Sequence, residues 1–245
     1  MISIIVLNWN TTDMTLRLYE SLKKTTSGNF NFYVFDNGSS DIEYKKLFAL
    51  FRENEYVGRS QKNLGFAAGN NVLCRHVAKF NHGHVFFINS DIIIEQKDWD
   101  IEACKLLDNE KIGIVGLAYH PLHWDKTGHF HIQQKSDVPV LSESVQGAFF
   151  GVKDTLFNQL IRDDNSIFDE NFKFAQYEET DLCFRVRKMN YQIYWLNVAH
   201  VHDHARSATK QHNYHLNDEI KNIDDFKKNT ERNRILFVEK HKDIL

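Results

Sequence analysis

Oxygen-bearing side chains follow two apolar stretches of the sequence, at the point where each stretch ends. Asn89-Ser90-Asp91 comes after the run His84 to Ile88, and Asp36-Asn37 comes after the run Phe30 to Phe35. Carboxylate oxygens suit a hard divalent cation such as Mg²⁺ or Mn²⁺, which commonly bridges a protein carboxylate to a diphosphate. A plainer interpretation stays open for both, because an aspartate after a strand is often a turn or helix cap and a short polar stretch is often a simple loop.

Two further groups of titratable residues lie in the second half of the chain. The carboxylates of Glu178-Glu179-Thr180-Asp181 crowd the start of a predicted helix, where like charges at a partly buried site can raise one pKa toward that of a general base. Helix capping is the alternative. In His200-x-His202-x-His204 the histidines alternate, so on a strand they would share one face and could ligate a metal. Surface or single-ligand histidines are the competing interpretation.

A glycine- and asparagine-rich stretch, Asn63 to Asn71, places exposed backbone N–H groups at a loop and helix start. Such groups can contact phosphate or sugar hydroxyls, and a plain tight turn is the alternative. The stretch has neither the dinucleotide-binding glycine pattern nor a phosphate-loop lysine. The remaining histidines of the middle region have no interpretable spacing, and we expect them to be mostly solvated: His120, His123, His129 and His131.

The elements that must hold these residues alternate between strand and helix through the first part of the chain. The predicted strands are Ile2 to Leu7, Phe30 to Phe35, Tyr56 to Gly58 and His84 to Ile88, and the predicted helices reach Lys24, span Ile42 to Arg52 and end near Ala78. This alternation favours an α/β fold with a parallel, doubly wound sheet, in which ligands bind at the carboxyl ends of the strands. Asp36 and Asp91 fall at that edge.

Later elements follow a looser pattern. A helix is predicted over Trp99 to Leu107 and over Asp154 to Ile161, and strands over Ile112 to Leu117, Val145 to Val152 and Ile193 to Leu196, while Tyr119 to Asp137 resembles a loop. Ile220 to His241 is predicted to be an amphipathic helix with Ile223, Phe226, Ile235 and Val238 on its apolar face. Its mixed charges favour packing on its own domain or in a homodimer over peripheral docking to a membrane.

Composition limits the classes of partner. The chain has 245 residues, 42% hydrophobic content and a formal net charge of -3, which disfavours nucleic acid and favours small molecules or glycans. Three separated cysteines in helical stretches, Cys74, Cys104 and Cys183, fit a reducing cytoplasm. The apolar start Met1 to Leu7 lacks the marks of a signal peptide and predicts a first strand.

Taken together and in this order, five segments resemble the family 2 glycosyltransferases of the GT-A fold, in particular the bacterial branch that includes rhamnosyltransferases of surface polysaccharides. The segments are Val6-Leu7-Asn8-Trp9-Asn10, Asp36 to Asp41, Asn63 to Asn71, Asn89-Ser90-Asp91 and Glu178 to Arg185, and the resemblance covers about residues 2 to 207. The combined order is far more specific than any one segment. The implied fold is a central mixed, mostly parallel sheet with helices on both faces.

The resemblance assigns roles to individual residues. Asp36 would contact the nucleobase, Asp91 would hold the metal on the diphosphate together with His202, and Glu179 would be the catalytic base. The other residues that it places at the substrate are Asn8, Asn37, Asn63, Gly65, Asn89, Ser90, Glu178 and Asp181. Two positions depart from the family pattern: Asn89 stands where the first acid of the metal motif is expected, and Glu178-Glu179 replaces the usual Glu-Asp pair.

The implied activity is inverting transfer of a hexosyl or rhamnosyl unit from a UDP- or dTDP-sugar to a glycan or lipid-linked acceptor, with Mg²⁺ or Mn²⁺ as cofactor. Residues 1–118 would form the nucleotide-sugar half, 119–210 the acceptor half and 211–245 a helical extension. Because Asn89 is not an acid, an inactive sugar-nucleotide or glycan-binding subunit is the alternative. A sugar-1-phosphate nucleotidyltransferase is disfavoured, since Asn8 to Thr12 lacks the basic, glycine-rich loop of that class.

Overall fold

Strands and helices alternate through the first part of the chain, as the sequence predicts. The computed structural model describes residues 1–51, 55–203 and 208–245. Its first elements are β1 (Ile2–Asn8), α1 (Thr12–Thr25), β2 (Phe30–Asp36), α2 (Asp41–Leu50), β3 (Tyr56–Arg59), α3 (Gly65–Val77) and β4 (His84–Ile88). The predicted bounds agree within a few residues, and Arg52, which was expected in the second helix, lies outside the described residues.

The second part of the described chain adds shorter strands and five more helices of varied length. In chain order these are β5 (Ile92–Ile94), α4 (Trp99–Leu107), β6 (Ile112–Gly116), β7 (Leu122–Trp124), β8 (Phe130–Ile132), β9 (Val140–Ser142), β10 (Phe149–Val152), α5 (Asp154–Asp164), α6 (Glu178–Lys188), β11 (Gln192–Trp195), β12 (His200–His202), α7 (Ala208–Gln211) and α8 (Ile223–His241). No described helix is long and apolar enough to cross a bilayer.

Eight strands form one mixed sheet in the order β3-β2-β1-β4-β10-β6-β11-β9. The pairs β1–β2, β1–β4, β2–β3 and β6–β11 are parallel, while β10 runs antiparallel to both of its neighbours and β9 runs antiparallel to β11. The mixed, mostly parallel sheet predicted from the sequence is therefore confirmed. Since β1, β2 and β4 are parallel neighbours, the polar segments that follow them meet at one edge.

Helices cover both faces of this sheet, which explains why its central strands are apolar along their whole length. On one face, Ile4 of β1 packs in a cluster with Leu18 of α1 and Trp99 of α4. On the other face, Ile5 packs with Leu73 of α3 and with residues of α5 and α6. The alternation of neighbouring residues between the two clusters follows the two-residue period of a strand.

Two small sheets lie outside the main one, and both involve segments that the sequence did not resolve. The pair β5–β12 is antiparallel, with His202 opposite Ile92. The pair β7–β8 is an antiparallel hairpin, so the stretch from Tyr119 to Asp137, which was expected to resemble a loop, contains two short strands. The predicted strand Val145 to Val152 shortens to Phe149–Val152, because its first residues belong to a buried turn.

The C-terminal helix α8 packs on the protein's own domain rather than standing free. Phe237 is fully buried, in a cluster with Trp124 and Phe184. The predicted apolar face is only partly right, because Ile223 and Ile235 are 44% and 46% exposed. The buried positions at four-residue spacing are instead Asn233, Phe237 and His241, two of which are polar and find partners on the adjoining segments.

Candidate functional site

A cavity of about 900 Å³ opens at the carboxyl edge of β1, β2 and β4. The structure brings nine of the predicted site residues to its wall: Asn37, Asn63, Gly65, Asn89, Ser90, Asp91, Glu178, Glu179 and His202. Asn8, Asp36 and Asp181 are fully buried and are not among the residues that line it. Most of the predicted residues therefore line one cavity, and the other three are buried behind its wall.

Asp91 and His202 form a buried pair on this wall. The turn Asn89-Ser90-Asp91 leaves β4, and β5 follows at once and pairs with β12, which carries His202. Asp91 Oδ2 lies 3.2 Å from His202 Nε2, and each side chain is 9% exposed. Asp203 N also donates to the carbonyl oxygen of Asp91 at 2.9 Å, so the backbone fixes the two side chains against each other.

The other nitrogen of His202 is held by Tyr119. The Tyr119 hydroxyl hydrogen-bonds His202 Nδ1, and the two rings stack with centroids 5.0 Å apart. A hydrogen bond to the second ring nitrogen fixes the ring orientation and tautomer of a metal-binding histidine. His200 shares the face of β12 with His202, but its Nδ1 bonds the Val198 carbonyl oxygen at 2.7 Å. His204, the third predicted histidine, lies outside the described residues.

The donor set of this pair fits a divalent cation that shares its coordination with a ligand. One carboxylate and one imidazole suit Mn²⁺ well and Mg²⁺ through the carboxylate, and such ions commonly retain further positions for phosphate or water. Among the described residues no group of three or more His, Cys, Asp or Glu side chains could hold a metal. A cation bound at Asp91 and His202 would therefore depend on oxygen atoms that the ligand supplies.

Asn37 and Asn63 lock two loops of the cavity together. Asn37 Nδ2 donates to Asn63 Oδ1 at 3.0 Å, and the N–H groups of Leu64 and Gly65 donate to the two asparagine side chains at 3.0 and 2.8 Å. Gly65 has φ +82°, and a Cβ there would lie 2.7 Å from Phe174 Cα. Only glycine fits this close approach at a positive φ, so α3 begins tightly against the wall of the cavity.

Asn8 ties the loops after β1, β2 and β4 from below. Its Oδ1 accepts from Thr15 Oγ1 at 2.8 Å and from Thr11 Oγ1 at 3.3 Å. Its Nδ2 donates to Ser39 Oγ at 3.4 Å, and Thr11 Oγ1 shares a 3.0 Å hydrogen bond with Ser90 Oγ. The side chain of Asn8 is thus fully used inside the protein, where it positions the segment that carries Asp91.

Asp36 also faces the protein. Its Oδ1 accepts from Ser39 N at 3.3 Å, and Arg59 Nε, at the end of β3, lies 3.1 Å from its Oδ2 in a geometry that does not make a hydrogen bond. Burial raises the pKa of this carboxyl group, although the Ser39 hydrogen bonds and the charge of Arg59 oppose the shift. Arg59 bonds the Ser39 carbonyl oxygen as well, at 2.7 Å, so Asp36 holds the turn that precedes α2.

Glu178 and Glu179 lie across the cavity at the start of α6. Burial raises the pKa of both carboxyl groups; the charge of Glu179 adds to the shift at Glu178, and backbone hydrogen bonds from Gly147 and Thr180 oppose it at Glu179. Glu178 is 1% exposed. A Cβ on Gly147 would lie 3.3 Å from Glu179 Cδ, so the chain before β10 runs directly against this carboxyl group.

Asp181, two residues further along α6, has the opposite electrostatic environment. Its Oδ1 lies 2.8 Å from both His241 Nε2 and Lys240 Nζ of α8, and its Oδ2 accepts from Arg185 Nε at 2.8 Å. These partners outweigh burial and lower its pKa from 3.8 to about 2. The carboxylate joins α6 to the C-terminal helix and is separated from the cavity.

The segment before Glu178 has an unusual backbone that α8 supports. Phe174, Gln176 and Tyr177 have φ values of +66°, +82° and +78°, a region that costs free energy for residues other than glycine. The fully buried Asn233 donates to the carbonyl oxygens of Lys173, Ala175 and Gln176 at 3.1 to 3.3 Å. Helix α8 therefore fixes the loop that presents the two glutamates.

Several residues on the wall had no individual role predicted from the sequence: Tyr119, His120, Trp124, Gln146 and Lys210. Lys210 is the single Lys or Arg among the described residues that line the cavity. The expectation that the middle histidines are solvated holds for His123, His129 and His131, which are exposed, but is wrong for His120. No spacing signal identified these residues, because Trp124 lies in the hairpin, Tyr119, His120 and Gln146 lie in connections, and Lys210 lies on the four-residue helix α7.

Comparison of the sequence with known proteins finds a distant relative of unknown function. No protein-family model matches the sequence. The uncharacterized protein y4gI of Sinorhizobium fredii (strain NBRC 101917 / NGR234) is 24% identical over 215 residues, which are 78% of this chain and 23% of that protein. The chain thus spans about a quarter of the length of this curated relative.

Three solved structures are similar over most of the chain. GalNAc-T7 with UDP, GalNAc and Mn²⁺ has a TM-score of 0.65 at 10% identity, over 80% of this chain and 42% of that one. Mannosyltransferase PcManGT from Pyrobaculum calidifontis, with GDP-Man and Mn²⁺, has a TM-score of 0.58 at 13% identity, over 80% and 54%. TarS of S. aureus with UDP-GlcNAc has a TM-score of 0.52 at 16% identity, over 84% and 61%.

These structures are glycosyltransferases of the GT-A class, and the chain has the GT-A fold. The identities are low, so the likeness establishes the fold alone. The chain covers about half of the length of these structures.

Proposed function

We propose that the protein is a cation-dependent glycosyltransferase that moves a sugar from a UDP- or dTDP-sugar to an acceptor hydroxyl with inversion. The observation that carries this proposal is that one cavity is lined both by the buried pair Asp91 and His202 and by two consecutive glutamates, Glu178 and Glu179. The GT-A fold supports it, since the similar solved structures hold UDP, UDP-GlcNAc or GDP-Man.

The donor binds over the loops that follow β1, β2 and β4. Asn37 and Asn63 line the nucleotide side of the cavity, and Asn89 and Ser90 lie next to the diphosphate. Asn8 and Asp36 contribute from below by fixing the loops, which revises the direct base contact expected for Asp36. Lys210 contributes a positive charge, as the single lysine or arginine among the described residues that line the cavity.

Asp91 and His202 would hold the cation, Mg²⁺ or Mn²⁺. When bound, the cation neutralises charge that develops on the diphosphate as the glycosidic bond breaks. Tyr119 keeps the His202 ring in the orientation that presents Nε2. Although Asn89 replaces the first acid expected in the metal motif, the site keeps a carboxylate, because Asp91 is the residue that contacts the histidine.

Glu179 is the general base. The acceptor hydroxyl transfers its proton to a Glu179 carboxylate oxygen while its own oxygen forms a bond to the anomeric carbon, and the bond from that carbon to the diphosphate breaks with release of the nucleoside diphosphate. Burial raises the pKa of Glu179 above its usual 4.5, which makes the carboxylate a stronger base near neutral pH. Asp181 cannot serve, because its carboxylate is fully engaged by Arg185, Lys240 and His241.

On this proposal residues 1–118 bind the donor, residues 119–210 bind the acceptor, and residues 211–245 support the catalytic loop. We assign the reaction to cytoplasmic synthesis of a surface polysaccharide by a family 2, hexosyl- or rhamnosyltransferase-like enzyme. The inactive-subunit alternative rests on Asn89, and the Asp91–His202 pair argues against it because it supplies a cation site without an acid at that position.

The test is release of nucleoside diphosphate from a panel of UDP- and dTDP-sugars, with Mn²⁺ or Mg²⁺ and with cation removed by chelation. We expect cation-dependent turnover that falls at least about 100-fold in Glu179→Gln with little change in UDP or dTDP affinity. Asp91→Asn should abolish the cation-dependent turnover. Glu110→Gln, at an exposed position outside the cavity, is the matched control.

Two outcomes would refute the proposal. Retained nucleotide binding without turnover of any donor would favour the inactive subunit. Full activity in Glu179→Gln would move the base to Glu178, the other carboxyl group on the same wall.

A further inference from the structure

Three polar atoms on the cavity wall have no hydrogen-bond partner within the part of the chain that the structure describes. They are His120 Nδ1, Gln146 Oε1 and Glu178 Oε1. Glu178 is 1% exposed and is one of the residues that line the cavity, so its unpartnered oxygen is a buried group at the cavity wall. A buried polar atom without a partner destabilises the folded protein, and native structures rarely contain several together.

These three atoms belong to neighbouring segments. Leu117 N donates to Phe149 O at 2.9 Å, so the chain after β6, which carries His120, runs beside the chain before β10, which carries Gln146. Gly147 touches the Glu179 side chain, and Glu178 is the preceding residue. The segments that carry the three unpaired atoms are therefore neighbours on the cavity wall, and one of them leads directly into the proposed base.

Aromatic side chains form the adjoining wall. The ring centroid of Trp124 lies 5.6 Å from that of Phe130 and 5.7 Å from that of Tyr177. The polar ends of two of these rings are occupied, because Trp124 Nε1 donates to Ser144 Oγ at 2.7 Å and the Tyr177 hydroxyl donates to Gly128 O at 3.0 Å. The three aromatic side chains therefore present apolar ring surface to a ligand, beside polar atoms that need hydrogen-bond partners.

A sugar ring matches both surfaces, since it has apolar C–H faces and hydroxyl groups around its edge. We infer that Trp124, Phe130 and Tyr177, together with His120, Gln146 and Glu178, form a subsite for the acceptor, and that the acceptor unit bound there is a saccharide. This inference deepens the proposed function and rests on it, because it selects a glycan rather than an apolar lipid-phosphate group as the acceptor unit at the base.

The chemistry of the subsite disfavours the lipid alternative. An alkyl chain would cover the aromatic rings but would leave Gln146 Oε1 and Glu178 Oε1 buried without partners. A phosphate placed there would meet two acidic side chains, Glu178 and Glu179. Sugar hydroxyls, which both donate and accept, can satisfy the amide oxygen and either protonation state of the carboxyl group.

The test uses ligand-observed saturation-transfer NMR on the full chain with UDP and Mn²⁺ present. Methyl pyranosides of gluco, galacto, manno, N-acetylgluco, rhamno and fuco configuration are compared with n-octyl phosphate. We expect at least one pyranoside to bind and octyl phosphate not to compete with it. Gln146→Ala should weaken that pyranoside about fivefold or more, whereas Gln134→Ala, at an exposed glutamine outside the cavity, should not.

A second variant, Phe130→Ala, addresses the aromatic wall at a side chain that is 50% exposed and so is not needed for the core. It should weaken the same pyranoside. The inference is overturned if no pyranoside binds, if octyl phosphate binds in their place, or if Gln146→Ala and Gln134→Ala behave alike. It is also overturned if Gln146→Ala weakens UDP-GlcNAc relative to UDP but leaves pyranosides unchanged, because the subsite would then hold the donor sugar.

Failure of the proposed function has a different signature. In that case no sugar nucleotide is turned over, although pyranoside binding and its loss in Gln146→Ala persist.

Discussion

Replacing Asp181 with asparagine should reveal how the C-terminal helix supports the site. The Asp181 carboxylate is fully buried and contacts Arg185 of its own helix and Lys240 and His241 of α8. Removing one partner from a buried ionic cluster leaves the remaining charges uncompensated, which typically costs about 3–5 kcal/mol. We therefore expect Asp181→Asn to lower the free energy of unfolding by an amount in this range at pH 7.

The pH dependence gives an independent measure. The pKa of Asp181 falls from 3.8 to about 2 on folding, and at 1.36 kcal/mol per unit the carboxylate contributes about 2 kcal/mol of stability. Because the folded pKa is the lower one, this contribution is complete above the unfolded pKa and is lost as pH falls through the folded pKa. Linkage gives a loss of about 1 kcal/mol between pH 5 and pH 3, and most of the remainder by pH 2.

Urea denaturation of the native chain and of Asp181→Asn, at pH 5 and pH 3, measures this directly. The stability difference between the two proteins should shrink by about 1 kcal/mol between these pH values. Asp243→Asn is the control, since Asp243 pairs with Lys188 at the exposed end of the chain and its side chain is 61% exposed; its effect should be small at both pH values. A difference that stays constant with pH would refute the view that Asp181 is held ionised by α8.

Two further predictions concern the wall of the cavity. Gly65→Ala should destabilise the protein by about 2 kcal/mol or more, because φ is +82° and the new Cβ would approach Phe174 Cα to 2.7 Å; urea denaturation measures it, and an unchanged midpoint would show that the loop adapts. Tyr119→Phe removes the hydroxyl that bonds His202 Nδ1, so Mn²⁺ affinity in the presence of UDP should fall about 10-fold or more by calorimetry, and an unchanged affinity would remove His202 from the cation site.

Much of the fold could be predicted because the central strands are long, apolar runs. A run such as His84 to Ile88 is buried on both faces and leaves a clear signal. The strands β5, β9 and β12 have three residues each, too few to show a period. The hairpin strands β7 and β8 are equally short, with one histidine between two apolar residues in each. The buried face of helix α8 was mispredicted for a different reason. It includes Asn233 and His241, whose burial depends on partners far away in the sequence.

The candidate site was predictable to the extent that it follows from strand ends. Motif order correctly placed Asp91 and His202 on one cavity wall, because β12 pairs with β5 next to β4. It could not separate Asp181 from Glu178 and Glu179, although the three carboxylates lie within four residues. What separates them is the basic end of α8, about sixty residues later, and nothing local in the sequence indicates that Lys240 and His241 fold back onto α6.

The charge of the cavity gives a reason for the cation that does not depend on motif resemblance. Asp91, Glu178 and Glu179 are carboxyl groups on the described wall, and Lys210 is its single lysine or arginine. A nucleoside diphosphate sugar adds further negative charge in a partly enclosed space, where like charges interact more strongly than in water. This repulsion favours binding of a cation together with the nucleotide, and the Asp91–His202 pair would offer that cation a carboxylate and an imidazole ligand. On the proposed function, nucleotide affinity should therefore depend on the divalent cation more strongly than on any single hydrogen bond to the nucleotide.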